Sequence, residues 1–265
     1  MRGLELPAQF LMAYFLIHFR FIGLVFASPI FSMAVLPMPS RYIFAVILTV
    51  ASAPAVNDSA AGYVISLVLF DSWVSVLVIV LREFLIGTAL GLLAALPLSA
   101  LYVAGEKIGM SMGFAMASTM DPMTQQQTSM ISQMMFMVGL WFYFRWNGHL
   151  LMVQAVVESL RFIPLASMSL MPAGDMGTGE WFTALLVMAM RMVLPFYCAI
   201  LLADVGLGFL ARTVPQMNIF VLGLPLKVAL GFFVLMLALP LTIELIFNYV
   251  EPWIEFALAS ATAWR

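Results

Sequence analysis

Apolar residues in this chain come in long blocks, and polar residues collect in the short stretches between them. A helix that crosses a bilayer needs about 20 mostly apolar residues. Blocks of that order lie at about 10–33, broken by Arg20, and 42–56, after a Pro37-Met38-Pro39 break that opposes helix continuation. A third covers 63–81, with Asp71 inside it, and a fourth 84–104, free of charge and carrying Gly87-x-x-x-Gly91 and Pro97. Apolar segments at 130–146 and 149–163 follow, then long ones at 181–210 and 228–249. Two connections differ in character: 105–127, rich in Gly, Met, Ser, Thr and Gln, and 211–227, which holds Pro215 and Pro225. Residues 172–179 are the most loop-like stretch. The pattern predicts an all-α membrane protein of several helices. No separate soluble domain, repeat of fixed period or cleavable signal sequence is expected, because similar apolar segments continue down the chain. Single arginines (Arg2, Arg41, Arg82, Arg145, Arg161) are scattered and do not set an orientation.

Composition strengthens the membrane reading. The chain has 265 residues, 64% hydrophobic and 9% charged, with a mean hydropathy of +1.08; soluble domains run at about 45–50% apolar and about 25% charged. These values exclude disorder. A net charge of −2 leaves no basic surface for nucleic acid. Cys198 stands alone, and His18 and His149 have no metalloenzyme spacing, so neither an intramolecular disulfide nor a metal or other cofactor is expected. Methionine, at 22 residues, is as frequent as phenylalanine.

Short motifs need weighing against simpler readings. Gly109-Met-Ser111-Met-Gly113 fits the G-x-S-x-G pattern of a serine nucleophile, and with His149 it describes an intramembrane serine protease. Gly105, Gly109 and Gly113 also fall at i, i+4 and i+8, a helix face that lets another backbone approach closely. Gly206-x-Gly208-x-x-Ala211 lacks the strand that a dinucleotide fingerprint requires. Charges inside apolar blocks face protein, water or a partner charge. Glu158 and Arg161 stand at i, i+3, whereas Arg191, Asp204, Arg212, Lys227 and Glu244 have no evident local partner. A small-solute transporter would use such groups for ions; an assembly would use them against neighbouring subunits. Five methionines (Met110, Met112, Met116, Met120, Met123) are interleaved with Gly, Ser and Thr rather than with aliphatics. Unbranched thioethers repack around changing shapes, so this segment suits a deformable, water-excluding closure.

Three stretches carry a family resemblance. Gly105-Glu-Lys-Ile-Gly-Met-Ser-Met-Gly-Phe-Ala-Met-Ala-Ser-Thr-Met-Asp121-Pro122 resembles the central motif of the FliR family of type III export-gate proteins, whose injectisome members are called SctT. Asn147-Gly-His149, with Glu158 to Pro164, is similar to the family's next segment. Ala211-Arg-Thr-Val-Pro-Gln216-Met-Asn218-Ile-Phe-Val-Leu-Gly-Leu-Pro225-Leu-Lys227 resembles its signature, in wording nearer the flagellar branch than the injectisome one.

The resemblance implies a single export-gate domain over 1–265, built of packed helical hairpins. About 1–175 would be FliP-like, with a plug loop near 105–127, and about 176–265 would be a FliQ-like hairpin. It implies a non-enzymatic component in the bacterial inner membrane, at the flagellar basal body. The implied partners are FliP-like and FliQ-like subunits, an FlhB-like protein, exported unfolded chains and the lipid membrane. Met110, Met112, Gly113, Phe114, Met116 and Met120 would form the plug. Gly105 and Gly109 would serve helix packing and the loop, and Asp121-Pro122 would terminate it. Glu106, Lys107, Arg212, Pro215, Gln216, Asn218, Pro225 and Lys227 would make assembly contacts. No phosphate-binding Gly-x-x-x-x-Gly-Lys motif is present, so energy would come from elsewhere in the apparatus.

Overall fold

A computed structural model describes residues 2–28, 30–31, 37–52, 73–114, 130–163, 165, 178–214 and 219–262. Among the described residues there are seven helices and no strand, in agreement with an all-α chain. They are α1 (Arg2–Ala27), α2 (Met38–Ala51), α3 (Trp73–Ser111), α4 (Met130–Arg145), α5 (Gly148–Phe162), α6 (Thr178–Thr213) and α7 (Ile219–Thr262). Three stretches are long and apolar enough to cross a membrane: Trp73–Ser111, Phe182–Thr213 and Gly223–Ile246.

Three helices, α3, α6 and α7, are longer than the apolar blocks suggest. α3 runs for 39 residues with Pro97 inside it, joining the end of the block expected at 63–81 to the one at 84–104. Arg82 and Glu83 do not interrupt it, because Glu83 is buried against a cation from α1. The same helix takes in the start of the stretch expected to be loop. Ala104, Glu106, Lys107, Ile108 and Met110 are good or tolerant helix formers that outweigh Gly105 and Gly109. α7 likewise begins at Ile219, so Pro225 and Lys227 lie within a helix rather than in a connection. α2 starts at Met38, inside the Pro37-Met38-Pro39 break and ahead of the block expected at 42–56, with extended Pro37 at its N-cap and a proline in the first turn, where the lost N–H has no helical partner.

The chain divides into two compact units. One comprises Met1–Leu96, Phe144–Gly179 and Val250–Arg265. Within it α1 is the central element, with Leu16, Ile17, Phe21 and Leu24 fully buried. α1 and α3 approach through glycines. A Cβ on Gly87 would overlap the Arg20 carbonyl, and one on Gly91 would lie 2.8 Å from the Leu24 oxygen. The Gly87-x-x-x-Gly91 spacing is thus a backbone-contact face. Arg20, wholly buried, closes this unit: its Nε donates to Glu83 Oε2 at 2.7 Å, Nη1 to Ser159 Oγ at 2.8 Å and Nη2 to the Ile163 carbonyl at 3.3 Å. One side chain therefore ties α1 to α3 and α5. Between α1 and α2, His18 Nδ1 and Thr49 Oγ1 are hydrogen-bonded at 3.1 Å, and the Tyr42 ring meets the imidazole edge-on.

The other unit comprises Pro97–Tyr143 and Glu180–Tyr249. Here α3 and α4 pack at Gly139, where a Cβ would overlap Leu101, and at Gly105, where it would sit 2.6 Å from Ser132 Cα. Met188, Met192 and Phe196 of α6 and Leu235, Ala238 and Ile246 of α7 are buried. Large apolar side chains nevertheless remain exposed in both units, among them Trp73, Leu77, Trp141, Leu202 and Met236. Apolar surface on this scale belongs against lipid or other subunits.

Candidate functional site

The final turns of α3 carry most of the described part of the predicted loop. Gly105 and Gly109 are buried on the helix, and Gly105 makes the close backbone approach that its spacing suggests. Ser111, in the last helical turn, donates its hydroxyl to the Lys107 carbonyl at 2.9 Å. This serine sits at the end of a helix, not on the strand-to-helix elbow of a hydrolase.

The helix then closes. Met112 N–H bonds to Ile108 O at 3.0 Å and Gly113 N–H to Met110 O at 3.1 Å. Gly113 has φ +91°, the left-handed geometry that glycine adopts without a Cβ clash. A Cβ there would also lie 3.0 Å from Leu224 Cδ1 on α7.

The two methionines beside this turn have opposite environments. Met110 is 48% exposed, whereas Met112 is fully buried. Met112 fills a notch on α7, where a Cβ on Gly231 would stand 2.6 Å from its Cγ and Cε and 2.7 Å from its Sδ. Phe114 is half-buried.

A groove of about 480 Å³ opens at this point. Its lining includes Met110, Ser111 and Gly113 from α3, Asp204 and Gly208 from α6, and Leu224 and Lys227 from α7. Lys227 Nζ and Asp204 Oδ1 form an ion pair at 2.5 Å, both partly exposed. The structure thus brings Lys227, assigned to assembly by resemblance, into one groove with Met110 and Gly113. Pro225 and Arg212 are exposed on α7 and α6, Glu106 is half-buried and Lys107 is exposed. Met116, Met120, Asp121, Pro122, Pro215, Gln216 and Asn218 lie outside the described residues.

Sequence reasoning missed three partners. Asp204 stood out only as a charge without a local mate, and its pairing with Lys227 depends on the packing of α6 on α7. Gly231 occurs in ordinary apolar sequence and Leu224 in the stretch read as a connection, and nothing near either announces a notch for Met112 or a stop for Gly113. Among the described residues no group of three or more His, Cys, Asp or Glu could hold a metal ion.

Over residues 11–252 the chain matches the family described as bacterial export proteins, family 1. It is 29% identical over 247 residues to flagellar biosynthetic protein FliR of Bacillus subtilis, covering 92% of each chain. To the protein of the same name in Escherichia coli it is 28% identical over 228 residues, covering 86% of this chain and 84% of the relative. The Yop proteins translocation protein T of Yersinia pestis is 29% identical over 157 residues, covering 57% of this chain and 58% of the relative. With the match running through the glycine-terminated end of α3 and the Lys227 groove alike, this chain belongs to the bacterial export proteins, family 1.

Proposed function

We propose that this chain is a core subunit of the flagellar type III export gate, placed in the bacterial inner membrane at the flagellar basal body and without a catalytic step of its own. The observation that carries the reading is similarity to a flagellar biosynthetic protein over 92% of both chains. The similarity to a translocation protein of the Yop system spans 57% of this chain, which leaves the injectisome reading second. FliP-like and FliQ-like subunits would complete the pore and an FlhB-like protein would join it. The division near residue 175 into a FliP-like and a FliQ-like part belongs to the same proposal.

In this reading the segment from Met110 to Asp121 seals the resting pore. Met110 and Phe114, with Met116 and Met120, supply flexible apolar side chains that exclude water and ions, then repack as an unfolded chain passes. Met112 is held in the Gly231 notch and Gly113 turns the backbone, which fixes the base of the plug. Asp121-Pro122 ends the segment, since proline disfavours a helical residue before it. Gly105 and Gly109 support packing of the helix below. Glu106, Lys107, Arg212, Pro215, Gln216, Asn218, Pro225 and Lys227 serve assembly.

The test is made on the assembled complex. Purification in mild detergent should recover two smaller membrane subunits in excess over this chain, and a stable lone monomer would count against the gate. Deleting residues 110–116 should raise small-ion leakage through the complex. Unchanged leakage in an intact, correctly assembled complex would remove the plug assignment.

A further inference from the structure

Arg82 stands beside Glu83 on α3 and makes no hydrogen bond to it. Glu83 Oε2 already receives both Nε and Nη2 of Arg20. Arg82 Nε and Nη1 are enclosed by protein and have no hydrogen-bond acceptor among the described residues, and Glu83 Oε1 is likewise unpartnered. Arg20, Arg82 and Glu83 together carry two positive charges and one negative. The surplus cation sits on a guanidinium with idle donors, and arginine does not shed its proton. A buried donor left without an acceptor is costly, and more so when it is charged.

The position of Arg82 says where an acceptor would come from. At i−3 and i+4, Ile79 and Ile86 are buried. At i−4 and i+3, Val78 and Leu85 are each 43% exposed, and Leu77 and Leu81 extend that open ridge. Arg82 therefore lies on the seam between the packed face of α3 and an open apolar one, in a helix apolar enough to cross a membrane. Lipid tails would cover the ridge but offer the guanidinium nothing. An arginine that reaches the headgroups instead snorkels, with its head extended to the interface; here two of its three nitrogens are enclosed.

We infer that this face of α3 docks against a helix of another membrane subunit, which presents apolar side chains to Val78, Leu81 and Leu85 and a carboxylate to Arg82. The carboxylate neutralises the surplus charge and accepts from Nη2, the guanidinium nitrogen that this chain does not enclose. The inference rests on the reading of the chain as one subunit of an assembly, and the experiment separates the two.

A photo-crosslinking residue is placed at Leu81 or Leu85 in the full complex, with Leu202 on α6 as a comparison site. The adduct from α3 is expected on a membrane subunit, at a segment containing Asp or Glu. Arg82→Ala should lower that adduct at least several-fold, Arg82→Lys should retain much of it, and Arg82→Glu should be rescued by an arginine at the partner's acidic position. Adducts with lipid alone would overturn the docking surface. So would an Asp58→Asn or Asp71→Asn variant that reproduces the Arg82→Ala loss, because the acceptor would then belong to this chain. A wild-type chain that purifies without any partner would overturn both this inference and the gate reading, whereas partners that remain bound with only lipid on α3 would sink this inference alone.

Discussion

Two ion pairs in this chain show how differently a charge can be used among apolar helices. Arg20 and Glu83 are completely buried, and the guanidinium spends its remaining donors on Ser159 and the Ile163 carbonyl. Lys227 and Asp204 meet at a groove wall, 27% and 49% exposed, with Met110, Gly113 and Leu224 as neighbours. The first pair joins three helices and has no route to water or to a passing ligand. The second joins two helices and remains accessible. Burial makes the first pair indispensable to the fold once formed, because neither member can be left alone. Exposure makes the second replaceable in the fold and available to whatever enters the groove.

The largest effect expected from this contrast follows removal of Glu83. Glu83→Ala leaves the Arg20 guanidinium buried with two neutral acceptors and no counter-charge, a change that costs about 3–5 kcal/mol. The purified variant should lose most of its folded population in a denaturant titration in detergent. Glu83→Gln keeps an acceptor for Arg20 and should lose less. Wild-type stability for Glu83→Ala would show that the buried network is not what holds α1, α3 and α5 together.

How far the sequence discloses this arrangement depends on the range of the interaction. Long apolar blocks give the helices, because that signal is local, and Gly87-x-x-x-Gly91 gives a contact face, because i and i+4 share one side of a helix. Arg20 is legible as an intramembrane charge that needs a partner. The choice of Glu83, rather than the residues beside Arg20, depends on α1 crossing α3 at glycines that bring the two backbones together. The end of α3 is less legible. Gly-Met-Ser-Met-Gly reads equally as loop or helix, and burial of Gly105 against Ser132 decides for helix until Gly113 turns. Met110 and Met112 look alike in sequence, yet one is open and the other is locked against Gly231, a distinction only the packing of α7 makes.

That lock permits a second test of the unit that contains the groove. Gly231→Ala places a methyl where Met112 now lies, and overpacking of this kind costs about 1–3 kcal/mol. The added carbon competes for the space of one flexible side chain, so Met112→Ala in the same chain should relieve much of the loss. The pair should depart from additivity by at least about 0.5 kcal/mol in a double-mutant cycle. In the assembled gate, Gly231→Ala should also raise ion leakage, and the double variant should leak less than Gly231→Ala alone. Additive effects would mean that Met112 does not occupy the notch. Coupled stabilities with unchanged leakage would separate the packing from the seal.

The smallest effect on folding is expected at the exposed pair. Asp204→Asn or Lys227→Gln removes a pair that is partly solvated, and such pairs contribute about 0–1 kcal/mol, screened further by salt where water reaches them. Stability measured as for Glu83→Ala should change by less than about 1 kcal/mol, well short of the effect of opening the buried network. Function should respond differently. Asp204 and Lys227 hold α6 to α7 at the wall against which the end of α3 turns, so either single substitution should weaken the seal or the export of flagellar subunits more than it weakens the fold. The exchange Asp204→Lys with Lys227→Asp should restore both, because it preserves the pair and its position. A single substitution as destabilising as Glu83→Ala would erase the distinction between the two pairs. Full function in both single variants would make the groove pair an incidental contact, and Lys227 would then have to act in assembly through a surface other than this groove.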